Sequence, residues 1–97
     1  MLKPMRIDWS QYTDFQAKVL KAIMKIPKGQ VWTYGEVAHR IGKPNAARAV
    51  GQALSQNAHA PFIPCHRVVA SNGLGGYSAK GGVRSKIILL KKEGYNT

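Results

Sequence analysis

The residues best suited to chemistry lie together in FIPCHRVV, residues 62–69, which contains Cys65, the single cysteine of the chain. A cysteine attacks as its thiolate, so a nucleophilic role needs neighbours that lower the thiol pKa, and His66 and Arg67 follow directly. Adjacent residues of an extended segment point to opposite faces, so we expect a water to link His66 to the sulfur. A single cysteine is more often a small buried hydrophobe than a nucleophile, and these local features leave the choice open.

A histidine that acts as a base needs an acceptor that fixes its tautomer, and the chain has four carboxylates. Asp8 and Asp14 lie in or beside the N-terminal lead, and Glu36 has the spacing of a helix cap. Glu93 remains as the expected partner of His66.

Length and cysteine content limit the kind of protein. At 97 residues the chain predicts a single domain, residues 1–97, with one modest core. One thiol and three scattered histidines give neither a disulfide nor a zinc-ligand spacing, so we expect no metal and no cofactor. The N-terminus lacks the apolar run of a signal peptide, and no later segment approaches membrane-span length. We therefore expect a soluble intracellular monomer, in the cytoplasm or nucleoid of a prokaryote or the nucleus of a eukaryote.

Charge is the first indication of a partner, because fifteen Lys and Arg against four Asp and Glu give a formal net charge of +11. A small intracellular domain of this charge attracts polyanions, and nucleic acid is the commonest of them. The alternative is a solvated basic surface that aids solubility, and composition alone does not separate the two.

Two helices are predicted from their first residues. Thr13 followed by Gln16 has capping-box spacing, and Thr33 followed by Glu36 repeats it. Apolar residues then recur at helical intervals, first Phe15, Val19, Ala22, Ile23 and Ile26, and in the second case Val37, Ala38 and Ile41. The sequences PKG at 27–29 and GKP at 42–44 predict where these helices end.

A third helix is predicted over AARAVGQALSQN, residues 46–57, with Asn45 as its N-cap. Val50 and Leu54 supply a narrow apolar stripe. Much of the remaining surface is small, with Ala46, Ala47, Ala49 and Gly51. Such a surface suits close approach to a partner and tight packing on a neighbouring helix equally well. Two short helices joined by a tight turn favour a helix-turn-helix.

The second half is predicted to be irregular until its last element. Residues 58–64 form a loop with two prolines, HRVVA favours an extended segment, and Asn72-Gly73 marks a turn. Beyond the glycine-rich GLGGYSAKGG, helical spacing returns, with Gly94 as a C-cap and the lysines expected on a solvated face. The apolar residues of that helix are Val83, Ile87 and Leu90. The predicted fold is mainly α with a small β or wing element, a winged-helix-like helix-turn-helix domain.

Several separated motifs, in order, carry a family resemblance. VWTYGEVAHRIGKPNAARAVGQALSQN, then IPCHRVV, then GGYS, then the terminal EG together resemble the active-site domain of the O6-alkylguanine-DNA alkyltransferases, over roughly residues 12–94. Many members carry an extra N-terminal domain, and this chain begins only a few residues before the active-site domain. The resemblance therefore implies a minimal version of the family.

The resemblance implies a role for each matching residue of the chemical site. Cys65 stands at the position of the alkyl acceptor, His66 at that of the water-linked base and Glu93 at that of the carboxylate that orients the histidine. Asn57 matches the asparagine that closes the recognition helix and steadies the segment around the cysteine. Tyr34 matches the tyrosine that helps rotate the target nucleotide outward and hydrogen-bonds to the guanine.

The resemblance also implies a partner, double-stranded DNA that contains O6-alkylguanine. Arg48 matches the arginine that enters the base stack and fills the place of the extruded nucleotide, which suits a planar guanidinium. The family places its recognition helix in the minor groove, and the small residues Ala46, Ala47 and Gly51 suit that close approach.

The remaining assignments concern the alkylguanine pocket, which the resemblance lines with Tyr77, Ser78 and Val68. The product of transfer to a cysteine is a thioether, which is a poor leaving group. We therefore expect one transfer per molecule, without a cofactor.

Two other functions remain open. Alkyltransferase-like proteins share the compact architecture and bind alkylated guanine without chemistry, but they carry tryptophan in place of the cysteine. A winged-helix regulator with an incidental cysteine would prefer a DNA sequence over a lesion, and it would explain neither PCHRV nor GGYS.

Overall fold

Four helices and one small sheet make up the fold of this computed structural model, which describes residues 7–60, 62–77 and 81–95. The helices are α1 (Asp14–Ile23), α2 (Tyr34–Arg40), α3 (Ala47–Leu54) and α4 (Gly82–Lys92), and the strands are β1 (Trp32–Thr33) and β2 (Val68–Val69). Two short 3-10 turns cover Trp9–Gln11 and Cys65–Arg67. The prediction of a mainly α domain with a small β element is confirmed.

Both predicted capping boxes are present. The Thr13 hydroxyl accepts from the Gln16 N–H at 3.1 Å, and the Gln16 side chain accepts from the Thr13 N–H at 3.0 Å. Thr33 and Glu36 make the same reciprocal pair, at 3.0 and 2.9 Å, at the start of α2. Two orphan amides are satisfied at each helix start, which fixes where α1 and α2 begin.

The predicted start of α3 is wrong. Its N-cap is Ala46, and no side chain caps it. Asn45 lies instead inside a turn that the Ala46 N–H closes on the Lys43 carbonyl at 2.9 Å, so it is not at the capping position. The helix ends at Leu54, earlier than predicted, and Asn57 follows it in the chain as a loop residue.

The segment around the cysteine also differs from the prediction. His66 and Arg67 belong to a 3-10 turn, and only Val68–Val69 is extended. The turn is closed by the Arg67 N–H on the Pro64 carbonyl at 2.9 Å. β2 then pairs in parallel with β1, with Trp32 opposite Val68 and Thr33 opposite Val69. Because His66 lies outside β2, it and its neighbours do not alternate between the two faces of a strand, as had been predicted.

The core lies where α1, α2 and α3 pack together. The segment around the cysteine adds Ile63, Cys65 and Val68 to it. The fully buried side chains of the core include Val19, Leu20, Ile23, Val37, Val50, Ile63, Val68 and Leu90. Trp9 and Trp32 are partly buried and pack against this core. In the described ranges, no helix is both long and apolar enough to cross a membrane.

The C-terminal end of α4 is a Schellman motif. The Tyr95 N–H donates to the Leu90 carbonyl at 2.9 Å, and the Gly94 N–H donates to the Lys91 carbonyl at 3.0 Å. Gly94 has φ +90°, a left-handed conformation that favours glycine. The predicted cap is confirmed, and it places Glu93 as the C-cap residue beside the cysteine turn.

Candidate active site

Cys65 opens the 3-10 turn and is only 6% exposed. Burial raises the pKa of its thiol, while hydrogen bonds with Asn57 and Tyr77 and the charge of Lys86 oppose that rise. The resting thiol is therefore protonated near neutral pH, and thiolate chemistry at this position needs a base. The neighbours of Cys65 in sequence do not produce the lowered thiol pKa that a reactive cysteine was expected to need.

His66 and Arg67 both contact Glu93. Nε2 of His66 lies 2.9 Å from Oε2 of Glu93. Arg67 donates from Nε to Oε1 at 2.9 Å and from Nη2 to Oε2 at 2.6 Å. Hydrogen bonding to Arg67 first, and to His66 second, lowers the pKa of Glu93 to about 2 against the effect of burial. The structure thus brings the expected His66–Glu93 pair together and adds Arg67, which was expected to act on the thiol of Cys65 rather than on Glu93.

Asn57 connects the end of α3 with the residues that precede Cys65. Its Nδ2 donates to the Ile63 carbonyl at 2.9 Å, and its Oδ1 accepts from the His59 N–H at 2.8 Å. Burial raises the pKa of the Cys65 thiol, and hydrogen bonding to Asn57 opposes that rise. One amide side chain therefore links Asn57, just beyond the end of α3, to Ile63, two residues before Cys65.

A cavity of about 80 Å³ adjoins the cysteine. It is formed by the start of α2, the middle of α3, the cysteine turn and the glycine-rich loop, and its lining residues are Tyr34, Gly51, Leu54, Ser55, Cys65, Gly76 and Tyr77. Tyr34, Gly51 and Tyr77 were expected at the site, whereas Leu54, Ser55 and Gly76 were not singled out.

The glycine-rich loop approaches Tyr34 closely at Gly75. This glycine has φ +71°, and a Cβ built on it would lie 2.7 Å from the Tyr34 hydroxyl oxygen. A side chain at this position would be strained and would displace the tyrosine. Gly75 therefore lets the glycine-rich loop pass close to Tyr34, which lines the cavity.

Arg48 is exposed near the start of α3. It precedes the cavity residue Gly51 by three positions, so the two lie on the same side of the helix. Ala46 packs against the core, and Ala47 is half-buried. Part of the small surface expected to meet a partner is thus used for packing within the domain.

The three residues expected in the pocket have different positions. Tyr77 lines the cavity, and burial first, then the nearby Cys65, raises its pKa to about 12. Val68 is in the core, and the lining of the cavity does not include it. Ser78 lies outside the described residues.

Lys86 lies beside the candidate site and was not singled out from the sequence, because the lysines of α4 were expected on a solvated face. Its side chain is fully buried. Nζ donates to the carbonyls of Val68, Leu74 and Gly76 at 2.7, 2.5 and 3.0 Å. Burial lowers the pKa of Lys86 to about 8, and the nearby Cys65 acts in the opposite direction. Its position four residues before Leu90, on the same helix face, was the available signal.

Lys86 thereby ties the glycine-rich loop to β2 beside Cys65. The described part of the chain contains no group of three or more side chains suited to hold a metal ion.

Comparison with known proteins identifies the family. Residues 14–95 match the family model described as 6-O-methylguanine DNA methyltransferase, DNA binding domain. A methylated-DNA--protein-cysteine methyltransferase of Mycobacterium bovis is 50% identical over 82 residues, which cover 84% of this chain and 48% of the relative. The chain thus spans about half the length of the curated relatives it matches.

Solved structures agree with this match. The Mycobacterium tuberculosis OGT in complex with DNA has a TM-score of 0.79 and 50% identity, covering 84% of this chain and 50% of the other. The S. pombe ATL in complex with damaged DNA containing O6-carboxymethylguanine has a TM-score of 0.74 and 37% identity, covering 96% and 85%. This chain belongs to the family of the 6-O-methylguanine DNA methyltransferase DNA-binding domain.

Proposed function

We propose that this protein transfers the alkyl group of O6-alkylguanine in double-stranded DNA to its own Cys65, once per molecule. The observation that carries the proposal is the position of Cys65 in the wall of a cavity between Tyr34 and Tyr77, beside the His66–Glu93 pair. Relatives of about 50% identity that bear the name methylated-DNA--protein-cysteine methyltransferase support it.

The proposed chemistry starts from the neutral thiol. Its proton passes through a water to Nδ1 of His66, and the thiolate attacks the alkyl carbon. An S–C bond forms, and the C–O6 bond breaks with its electron pair on the guanine. A hydrogen bond from Tyr34 stabilises the departing guanine anion, which takes up a proton and becomes guanine. The thioether at Cys65 is a poor leaving group, so the protein reacts once.

The proposed access to the base is extrusion from the duplex. A side chain cannot reach an O6-alkyl group in line inside stacked DNA, and extrusion costs a few kcal/mol, roughly. In this proposal α3 lies in the minor groove, and the exposed Arg48 enters the base stack to fill the gap. The small residue Gly51 leaves the cavity open toward that helix face.

Intact-protein mass spectrometry with peptide mapping tests the transfer. The protein is mixed with a duplex that contains one O6-methylguanine, and with the same duplex containing guanine as a control. We expect a gain of one methyl group on Cys65, saturating at one per molecule, and no gain for Cys65→Ala, which should still bind the lesion. A wild-type protein that gains no methyl group overturns the proposal.

A second candidate is lesion binding without transfer, and two observations favour it. The S. pombe ATL structure, with damaged DNA, matches 96% of this chain. Burial also raises the pKa of the Cys65 thiol, which disfavours the thiolate. Tight, lesion-selective binding by a sample that gains no methyl group would support this function over transfer.

A further inference from the structure

Arg67 makes more contacts with Glu93 than His66 does, and the proposed chemistry gives it no part. Its guanidinium binds both oxygens of Glu93, at 2.9 and 2.6 Å, and donates from Nη1 to the Ile26 carbonyl at 2.9 Å. The Arg67 side chain is 17% exposed and that of Glu93 is 11% exposed, so solvent screens this pair little. A planar guanidinium held by three hydrogen bonds has a single orientation.

These contacts determine where the His66 proton must lie. Arginine is always a donor and remains charged, so a carboxylate that accepts from it on both oxygens is ionised. An ionised carboxylate can only accept, and Nε2 of His66 lies 2.9 Å from the Oε2 of Glu93. Nε2 therefore carries the proton. In the neutral ring Nδ1 is then a bare acceptor, and it is the one buried side-chain N or O atom of the described residues without a hydrogen-bond partner.

The same contacts also balance charge. Glu93 makes both ion pairs found in the described part of the chain, one with His66 and one with Arg67. The positive charge of Arg67 offsets the carboxylate, so Glu93 gives less support to a second proton on the imidazole. The other titratable groups beside this cluster are Cys65, next to His66, and Lys86 and Tyr77, which act on Cys65. The segment after α1 contributes a neutral carbonyl, that of Ile26.

We propose that Arg67 is a positioning residue for the alkyl transfer: by binding both oxygens of Glu93, it fixes the His66 proton on Nε2 and keeps Nδ1 unprotonated as the acceptor for the Cys65 proton. The catalytic meaning of this arrangement rests on the proposed function. The tautomer itself does not, because it follows from the contacts among Arg67, Glu93 and His66.

Long-range nitrogen–proton NMR spectra of the imidazoles test the tautomer directly, without DNA. Spectra of the ¹⁵N-labelled wild-type protein are recorded across pH 5–9, and His66 is assigned by comparison with His66→Gln. We expect the Nε2–H tautomer of His66 in the neutral form. A wild-type Nδ1–H tautomer overturns the proposal and requires no variant to fold.

Two substitutions at Arg67 separate its charge from its shape. In Arg67→Gln, His66 should gain its second proton at higher pH than in the wild type, because the positive charge beside Glu93 is removed. Arg67→Lys keeps the charge and should restore most of that difference. Arg84→Gln removes the same charge from an exposed position on α4 and should leave His66 unchanged. Equal shifts in Arg67→Gln and Arg84→Gln would reduce the effect to net charge and overturn the role.

Transfer rates with O6-methylguanine DNA then separate this inference from the proposed function. The acid-side midpoint of the rate should move upward in Arg67→Gln and return in Arg67→Lys. Wild-type transfer with an unchanged pH profile in a folded Arg67→Gln protein contradicts the inference and leaves the function standing. The expected NMR results without any wild-type transfer refute the function and leave only the tautomer of His66, with the contacts that fix it, in place.

Discussion

At the residue scale, the burial of Cys65 sets the chemical problem that its neighbours must solve. A buried thiol with a raised pKa is largely protonated at neutral pH, which protects it from unspecific reaction. In the proposed transfer, the same burial makes removal of the thiol proton necessary before attack. His66 follows Cys65 in the chain, and Glu93, 27 positions further on, lies 2.9 Å from its Nε2, so the acid–base groups of the proposed reaction adjoin the cysteine.

Glu93 should make stability depend on acid. Its pKa in the folded protein is about 2, below its ordinary value of 4.5, because Arg67 and His66 bind the carboxylate. The stabilisation is therefore fully present above about pH 4.5 and is lost as the pH falls through 2. We expect urea denaturation to show a stability advantage of wild type over Glu93→Gln that shrinks across this range.

Glu36→Gln is the matched control for this measurement, because it removes a carboxylate while glutamine keeps the capping box. Its difference from the wild type should change little over the same pH range. A difference between wild type and Glu93→Gln that stays constant from pH 5 to 2 would contradict the ion-pair argument.

Arg48 should matter only when the base is stacked in a duplex. Arg48→Ala is expected to slow transfer from duplex O6-methylguanine by about tenfold or more, since roughly 1.4 kcal/mol of lost support for extrusion corresponds to a factor of ten. Transfer from the free alkylated base should stay near the wild-type rate, because that substrate needs no extrusion. Equal losses on the two substrates would remove Arg48 from the extrusion step.

At the scale of elements, the start of α2 positions the cavity. Tyr34 is the first residue of α2, and the capping box of Thr33 fixes where that helix begins. Thr33→Ala should cost about 1 kcal/mol of stability in chemical denaturation, and so should Thr13→Ala at the start of α1. Only Thr33→Ala should also slow transfer, because only that cap holds a residue of the cavity. Equal transfer rates in the two variants would show that the cap does not position Tyr34.

The sequence predicted those elements that are specified locally. A capping box involves residues three apart, so Thr13 with Gln16 and Thr33 with Glu36 could be recognised without knowledge of the tertiary fold. Asn45 has an equally good N-cap side chain, but the turn from Lys43 to Ala46 places it outside the capping position. Local preference was overridden there by a competing turn.

The parts of the site that escaped prediction depend on contacts distant in sequence. Arg67 takes its orientation from Glu93, 26 positions away, and from Ile26, 41 positions away. Lys86 is buried because three carbonyls of the preceding loop and strand surround its ammonium, which compensates for desolvation. The arrangement of Arg67 leaves no periodic or spacing signal, and that of Lys86 leaves only its position four residues before the buried Leu90. The His66–Glu93 pair was accessible because the chain has only four carboxylates and because the family resemblance implies the same two residues.

At the scale of the whole molecule, the few carboxylates are largely used within the fold. Glu36 caps α2, Asp8 accepts from Ser10, and Glu93 binds His66 and Arg67. Four carboxylates cannot balance fifteen Lys and Arg side chains, which leaves the formal net charge of +11. A surface of this kind attracts a polyanion over distances set by the ionic strength.

DNA affinity should accordingly fall steeply with salt, whereas the chemical step should not. Each phosphate that a cation neutralises releases condensed counterions, so the logarithm of the association constant should decline linearly with the logarithm of salt concentration. Fluorescence anisotropy of Cys65→Ala with a labelled lesion duplex, between about 50 and 200 mM salt, measures that slope. The wild-type reaction with free O6-methylguanine is the control, because the base carries no phosphate and its rate should stay nearly constant. A flat affinity would show that the net charge does not drive DNA binding, and a parallel decline of the free-base reaction would place the effect of salt on the active site itself.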